Sequence, residues 1–130
     1  MKKQLILLFS TIILPISVFA SDVYYCSEDA VTGFDPKQNF KRQRYNPGKF
    51  KIMIDFKNEY IDSNDIFFPK NEGKCISTYD DAGKILYCIS RAGSAFSINK
   101  TNLKFIKSFI FNVKDYQDDI VIGYGSCQKF

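Results

Sequence analysis

The sequence predicts an all-β fold, a small antiparallel β-barrel or sandwich of six to eight strands with two disulfides. Apolar and polar residues alternate with a period of two along several segments, and no segment repeats with the period of a helix. Clusters rich in Gly, Pro, Asn and Asp separate those segments at intervals of roughly 10–15 residues. The chain also contains four cysteines, an even number that suits two disulfides in a small exported domain.

Residues 1–20 have the features of a secretory signal peptide. Two lysines follow Met1, an apolar run covers Leu5–Phe19, and Ala20 supplies a small residue for cleavage. The run is broken by Pro15 and is shorter than the roughly 20 residues that a membrane-spanning helix needs. We therefore expect a mature chain of residues 21–130 that forms a single domain, has no transmembrane helix and is exported to the periplasm or released.

The clearest strand covers residues 50–56, where Phe50, Ile52, Ile54 and Phe56 alternate with mostly polar neighbours. Weaker alternation, bounded by turn-forming residues, predicts further strands before and after it. These segments are Val23–Ser27, Lys74–Tyr79, Lys84–Ser90, Ser94–Ile98, Leu103–Phe111 and Asp119–Cys127.

Residues Val31–Gly48 show no clear alternation and contain two glycines and two prolines. This composition predicts a long loop with one helical turn around Pro36–Arg44. Cations and aromatic residues are concentrated here, which is typical of a surface that contacts an anionic partner such as an envelope protein or polymer. The alternative is a solvated loop without a partner, and export argues against nucleic acid. The candidate contact residues are Lys37, Phe40, Lys41, Arg42, Arg44, Tyr45 and Lys49.

The cysteine pairing follows from the register of one predicted hairpin. A four-residue loop ending in Gly83 joins the strands that contain Cys75 and Cys88, and this loop length is common in hairpins. If Tyr79 pairs with Lys84, Cys75 lies directly opposite Cys88, close enough to form a disulfide. The second disulfide then joins Cys26 to Cys127, near the two ends of the mature chain.

The composition argues against catalysis. The sequence contains no histidine, which excludes catalytic triads that use this residue as the base and metal sites that use it as a ligand. The adjacent carboxylates, Glu28–Asp29, Asp80–Asp81 and Asp118–Asp119, are not suitable pairs, since neighbours on a strand point to opposite faces. We expect no enzyme and no cofactor.

Two short motifs carry a resemblance to known proteins. The opening Tyr24-x-Cys26 and the closing Gly125-Ser-Cys127 resemble those of small exported bacterial proteins. The placement of Cys26 and Cys127 is similar to that in the c-type lysozyme inhibitor family, whose members are periplasmic β-barrels. The Ser-Gly-x-Arg-Tyr inhibitory motif of that family is absent, and Ser90–Ser94 holds related residues in a different order. The resemblance therefore implies an architecture and no inhibitory residues.

These observations favour an exported, non-catalytic binding module of the bacterial envelope. An inhibitor of a cell-wall-active enzyme would be one form of it. A carrier that holds a small apolar ligand inside an aromatic-lined barrel is the first alternative, because the chain contains 13 Phe and 8 Tyr residues. A hydrolase that uses carboxylates is the second alternative.

Overall fold

The computed structural model describes residues 21–63, 74–77, 84–91, 93–110 and 120–130. The predicted signal peptide lies outside these ranges, as do the predicted hairpin loop at 80–83 and the carboxylate pairs at 80–81 and 118–119. The strands of the described chain are β1 (Asp22–Asp35), β2 (Lys41–Tyr45), β3 (Lys49–Asp55), β4 (Tyr60–Ser63), β5 (Lys74–Ser77), β6 (Ile85–Ile89), β7 (Ser94–Asn99), β8 (Lys104–Ile110) and β9 (Ile120–Lys129).

The strands form one antiparallel sheet that curls into a nearly closed barrel of eight strands. Their order around the barrel is β4-β3-β1-β9-β8-β7-β6-β5, and β2 adds to β1 outside this path. The two ends of the path, β4 and β5, contact each other. The all-β class and the antiparallel barrel with two disulfides are thus confirmed. The first and last strands of the described chain, β1 and β9, pair side by side in the interior of the sheet.

The long first strand corrects the predicted loop at Val31–Gly48. Strand β1 continues to Asp35, and Lys41–Tyr45 forms β2, which pairs with Val31–Asp35. The predicted helical turn is reduced to a single 3-10 turn at Pro36–Gln38. The sequence of β2 contains only Tyr45 as an apolar residue, and a strand of charged residues at a sheet edge gives no alternating hydrophobic signal.

The other predicted strands agree with the structure to within a few residues, with one omission. Strand β3 begins at Lys49, one residue before the predicted start, and β9 ends at Lys129, two residues after the predicted end. The structure also contains β4, which pairs with β3 and which the sequence did not predict. Only four residues long, β4 lacks the length from which a period of two can be recognised.

The interior of the barrel is packed with aliphatic and aromatic side chains. The rings of Phe96 and Phe105 stack with centroids 5.5 Å apart, and Phe50 packs edge-on against Phe105 at 5.3 Å. Edge-on and offset contacts of this kind add stabilisation beyond the area they bury. The buried cluster consists of Tyr24, Cys26, Ile52, Ile54, Ile61, Leu86, Cys88, Phe96, Ile98, Phe105 and Cys127.

Both predicted disulfides are present. The hairpin disulfide, Cys75–Cys88, joins residues directly opposite each other on β5 and β6, in the register that the hairpin loop predicted. The terminal disulfide, Cys26–Cys127, joins directly opposed residues of β1 and β9 across a sequence separation of 101. The terminal disulfide therefore fixes the pairing of the first and last described strands.

Hydrogen bonds close the seam between the two ends of the barrel. The backbone N–H of Ser77 on β5 donates to Glu59 Oε1, in the turn before β4, at 2.9 Å. Lys100 Nζ donates to the Ser77 hydroxyl at 2.9 Å. The two hydrogen bonds from Ser77 and the nearby Lys100 ammonium lower the pKa of the Glu59 carboxyl, the Ser77 contribution being the larger. The ionised form of Glu59 thus contributes to the seam.

Candidate functional site

The predicted contact residues are distributed over two faces of the chain. Arg42 and Arg44 lie opposite Phe34 and Thr32 of β1, and the Arg42 Nε donates to the Thr32 hydroxyl at 3.4 Å. Tyr45 lies opposite the buried Val31 and so belongs to the other face of the sheet. Lys41 shares that other face with Tyr45, because residues two or four apart on a strand point the same way. Lys37 and Phe40 lie in the connection between β1 and β2.

Four cations form a line on the outer surface beside β1. Strand β3 continues along the same edge of β1 that β2 occupies, with Lys49 opposite Ser27 and Lys51 opposite Tyr25. The neighbouring residues of β1, such as Tyr24 and Cys26, are buried in the barrel, so these partners face outward. We call the four exposed side chains, Arg42, Arg44, Lys49 and Lys51, the cationic ridge.

Lys49 and Lys51, the half of the cationic ridge on β3, border a groove on the outer surface. This outer groove has a volume of about 470 Å³. Ser126 and Gln128 of β9 lie directly opposite Ser27 and Tyr25, so hydroxyl, amide and phenol groups stand beside the two lysines. The residues with outward side chains that line the groove are Tyr25, Ser27, Lys49, Lys51, Ser126 and Gln128. Ammonium groups next to neutral hydrogen-bonding groups suit a ligand that carries both negative charge and hydroxyl groups.

A buried ion pair lies at the corner between β2 and β3, which separates the two halves of the cationic ridge. Lys107 Nζ lies 2.8 Å from Glu28 Oε1, and the side chains are only 8% and 5% exposed. The backbone N–H of Gly48 donates to Glu28 Oε2 at 2.7 Å, and the backbone N–H of Glu28 donates to the Gly48 carbonyl at 2.9 Å. The ammonium also lies 4.7 Å from the centroid of the Phe50 ring. This inner ion pair ties β1 and β8 to the corner between β2 and β3.

Two local features make room for the inner ion pair. The β1–β9 register shifts between Glu28 and Ala30, which is a β-bulge. Opposite the bulge, a Cβ on Gly123 would lie 2.7 Å from Glu28 Oε1 and 3.5 Å from the Lys107 Cε, so a side chain there would displace the pair. Glycine in a strand interior is typical of such a close approach, and this is the signal that the sequence carries at Gly123. It did not identify the charges involved.

A second cavity of about 330 Å³ lies beside the inner ion pair. The inner ion pair forms part of its wall together with Tyr45, Asn46 and Val121. Each charge of the pair faces the other, and the second carboxylate oxygen accepts the Gly48 amide. These contacts indicate a structural role for Glu28. Within the described ranges, no group of three or more metal-ligating side chains is close enough to hold an ion.

Electrostatic pairs at the strand ends are separate from the ridge. Lys129 Nζ lies 2.7 Å from Asp22 Oδ2, and this contact raises the pKa of Lys129. Burial raises the pKa of the Tyr24 phenol, and the nearby Asp22 carboxylate adds to the effect. Of the predicted carboxylate doublets, only Glu28–Asp29 lies in the described residues, with Glu28 buried and Asp29 exposed.

Comparisons of the chain with protein-family models, curated proteins and solved structures return no match. In the part of the chain that the structure describes, no helix has the length and apolar character needed to cross a membrane. The two disulfides are typical of an oxidising, exported environment.

Proposed function

We propose that the protein is an exported, non-catalytic binding module that holds an anionic polymer of the cell envelope on the cationic ridge and in the outer groove. The observation that carries the proposal is the strand register, which aligns the four cations of the ridge on one side of β1. A single straight edge of positive charge is complementary to an extended chain of negative groups.

The dimensions of the ridge suit an extended ligand. Its β1 partners run from Phe34 to Tyr25, which corresponds to about 30 Å of strand. Within each pair the two cations are two residues apart, about 6.7 Å along the strand. The exposed acid Asp29 lies at the bulge between the two pairs, so we expect the ligand to contact the pairs rather than the middle.

The other predicted functions have weaker support. A carrier for an apolar ligand needs an open interior, whereas the side chains around Phe96 and Phe105 pack against one another inside the barrel. A carboxylate hydrolase needs two acids facing one cleft, whereas Glu28 and Asp29 lie on opposite sides of the sheet. An inhibitor of a cell-wall-active enzyme remains the protein-partner form of our proposal, since an acidic substrate cleft is also complementary to the ridge.

The test measures binding of the exported protein, with both disulfides formed, to three probes: polyglutamate, polyphosphate and purified cell-wall material. The variant Arg44→Gln/Lys49→Gln removes one cation from each half of the ridge. The matched control Lys57→Gln/Lys84→Gln removes two exposed cations elsewhere. Two surface contacts of about 0.7 kcal/mol each correspond to a roughly tenfold higher Kd for the ridge variant.

The salt dependence provides the second readout. Binding of the unmodified protein should weaken as salt rises, and the ridge variant should show a shallower dependence than the control. The proposal is wrong if the two variants bind every probe equally, or if the unmodified protein binds none of them. If the ridge variant binds more weakly than the control, crosslinking in the native envelope, with the ridge variant for comparison, identifies whether the partner is a polymer or an enzyme.

A further inference from the structure

A second surface of the barrel is apolar although it faces outward. The register aligns Tyr124, Ile106, Ser97, Tyr87 and Ile76 in one row across β9, β8, β7, β6 and β5. A parallel row two residues away contains Ile122, Ser108, Ala95 and Ile89. We call these two rows the apolar face; their residues are uncharged, and the second row is bordered on β5 by Lys74, which lies opposite Ile89.

Several apolar residues of this face are strongly exposed. Ile76 is 61% exposed, Ile106 56% and Tyr124 53%, while their strand neighbours Phe105 and Cys88 are buried inside the barrel. An antiparallel sheet with one buried face normally places polar residues on the other. Contiguous exposed apolar residues of this extent mark an interaction surface.

The exposed charges that border the apolar face in the described chain are mostly positive. Among the described residues of 84–110, which supply β6, β7 and β8, the exposed cations are Lys84, Arg91 and Lys104, and none of these described residues is an acid. Lys104 extends outward at the start of β8, beyond Ile106 in the same outward series. Arg44 and Arg42 border the other side, opposite Thr32 and Phe34 of β1. The β1 bulge carries an exposed acid, Asp29.

The shape and charge of the face argue against a second copy of the chain. The five strands from β9 to β5 are about 19 Å wide, and about 15 Å of strand length gives roughly 300 Å². A stable protein interface buries about 800 Å² on each partner. Two convex barrels would contact each other along a strip only, and the basic borders would bring like charges together.

A lipid bilayer avoids both difficulties. Its interface deforms around a convex surface, its acyl region accepts isoleucine side chains, and its headgroup level favours tyrosine. Anionic headgroups attract lysine and arginine at the border of the embedded surface. We propose that the apolar face docks the exported protein onto an anionic lipid membrane. The apolar face and the outer groove are different parts of the surface, but Arg42 and Arg44 belong to the cationic ridge and also border the face, so the variants below change apolar residues alone.

The absence of tryptophan from the sequence permits a direct measurement. The variant Tyr124→Trp places one fluorophore in the apolar face, and Tyr25→Trp places one in the outer groove as the matched control. Both positions are about half exposed. With phosphatidylglycerol vesicles, we expect a blue shift and quenching by brominated acyl chains for Tyr124→Trp only.

A second pair of variants measures the affinity for the same vesicles by co-sedimentation. Ile106→Thr/Ile122→Thr removes two side chains of the apolar face, and Met53→Thr/Phe130→Ser removes two exposed apolar side chains elsewhere. Loss of the buried methyl groups should weaken partitioning of the first variant at least about tenfold, and the control should bind as the unmodified protein does. Phosphatidylcholine vesicles should bind more weakly than phosphatidylglycerol vesicles.

Three results would overturn the docking proposal. The first is equal binding of the two double variants, or no binding by the unmodified protein. The second is a blue shift for both tryptophan variants or for neither. The third is a concentration-dependent dimer that Ile106→Thr/Ile122→Thr abolishes, which would assign the face to a second copy. Polymer binding by Ile106→Thr/Ile122→Thr should be normal, so failure of this proposal is distinguishable from failure of the proposed function.

Discussion

The inner ion pair provides the most demanding test of how the barrel positions its surface. Lys107→Met removes the ammonium and keeps a side chain of similar length, which can still pack on Phe50. The change leaves Glu28, only 5% exposed, without its cation. Glu28→Gln is the complementary change, since the amide oxygen can still accept the Gly48 N–H.

The expected magnitudes follow from this burial. Removing one partner of a buried pair costs about 3–5 kcal/mol, a large part of the 5–15 kcal/mol that stabilises a typical domain. Removing both charges leaves no unpaired ion, and the lost hydrogen bonds account for about 1–2 kcal/mol. The double variant Glu28→Gln/Lys107→Met should therefore be more stable than either single variant. The coupling energy should be at least about 3 kcal/mol.

Urea unfolding monitored by circular dichroism gives the free energies of unfolding for the four proteins. Equal denaturant slopes would show that the variants unfold from equally compact states. The reasoning is refuted if the two single changes add to within about 0.5 kcal/mol, because additivity would mean that the side chains do not share a buried contact. A cost below about 1 kcal/mol for Lys107→Met would contradict it equally.

Three further predictions concern stability. Replacing the terminal disulfide by alanines should lower the free energy of unfolding, measured in urea titrations, by about 4.7 kcal/mol. Replacing the hairpin disulfide should lower it by about 3 kcal/mol, because the closed loops span 101 and 13 residues. Equal losses would contradict the loop-length argument. Gly125→Ala should lower the melting temperature, at a cost of about 1–3 kcal/mol, because its Cβ would overlap the Ser27 carbonyl and lie 2.8 Å from the Glu28 Cα; an unchanged melting temperature would argue against this close strand approach. The lowered pKa of Glu59 contributes stability above its ordinary value of 4.5, and this contribution is lost as the pH falls through the folded-state pKa. Below pH 4.5, the free energy of unfolding of Glu59→Gln should therefore fall less steeply with decreasing pH than that of the unmodified protein. An identical pH dependence of the two proteins would show that Glu59 does not contribute to it.

The sequence predicted those parts of the fold that leave a local pattern. Alternation identified β3, and the length of one turn specified which residue lies opposite Cys75. It could not identify β2, because Lys, Arg and Gln at a sheet edge have the same composition as a solvated loop. The strand is specified by its partner: Thr32 donates its hydroxyl hydrogen to the Gln43 carbonyl at 3.0 Å, a contact between residues 11 apart.

The candidate site was predicted as a set of residue types and not as a shape. The basic segment was recognised from its composition, but the alignment of Arg44 with Lys49 requires that β2 and β3 share one edge of β1. That arrangement depends on Glu28 holding Gly48 at the corner between the two strands. Neither the pairing of Glu28 with Lys107 nor the apolar face leaves a signal in the sequence, because both depend on the register of distant strands.

The pairing of β1 with β9 has a consequence for the order of folding. Strand β1 can pair with β2 and β3 soon after they are synthesised, but its other edge waits for β9, Ile120–Lys129. Until that strand is available, β1 presents an open row of backbone N–H and C=O groups that another chain could join. The terminal disulfide can form only after Cys127 has been added. The oxidised Cys26–Cys127 bond is therefore a chemical record that β1 and β9 have met, and a chain truncated before β9 cannot carry that record.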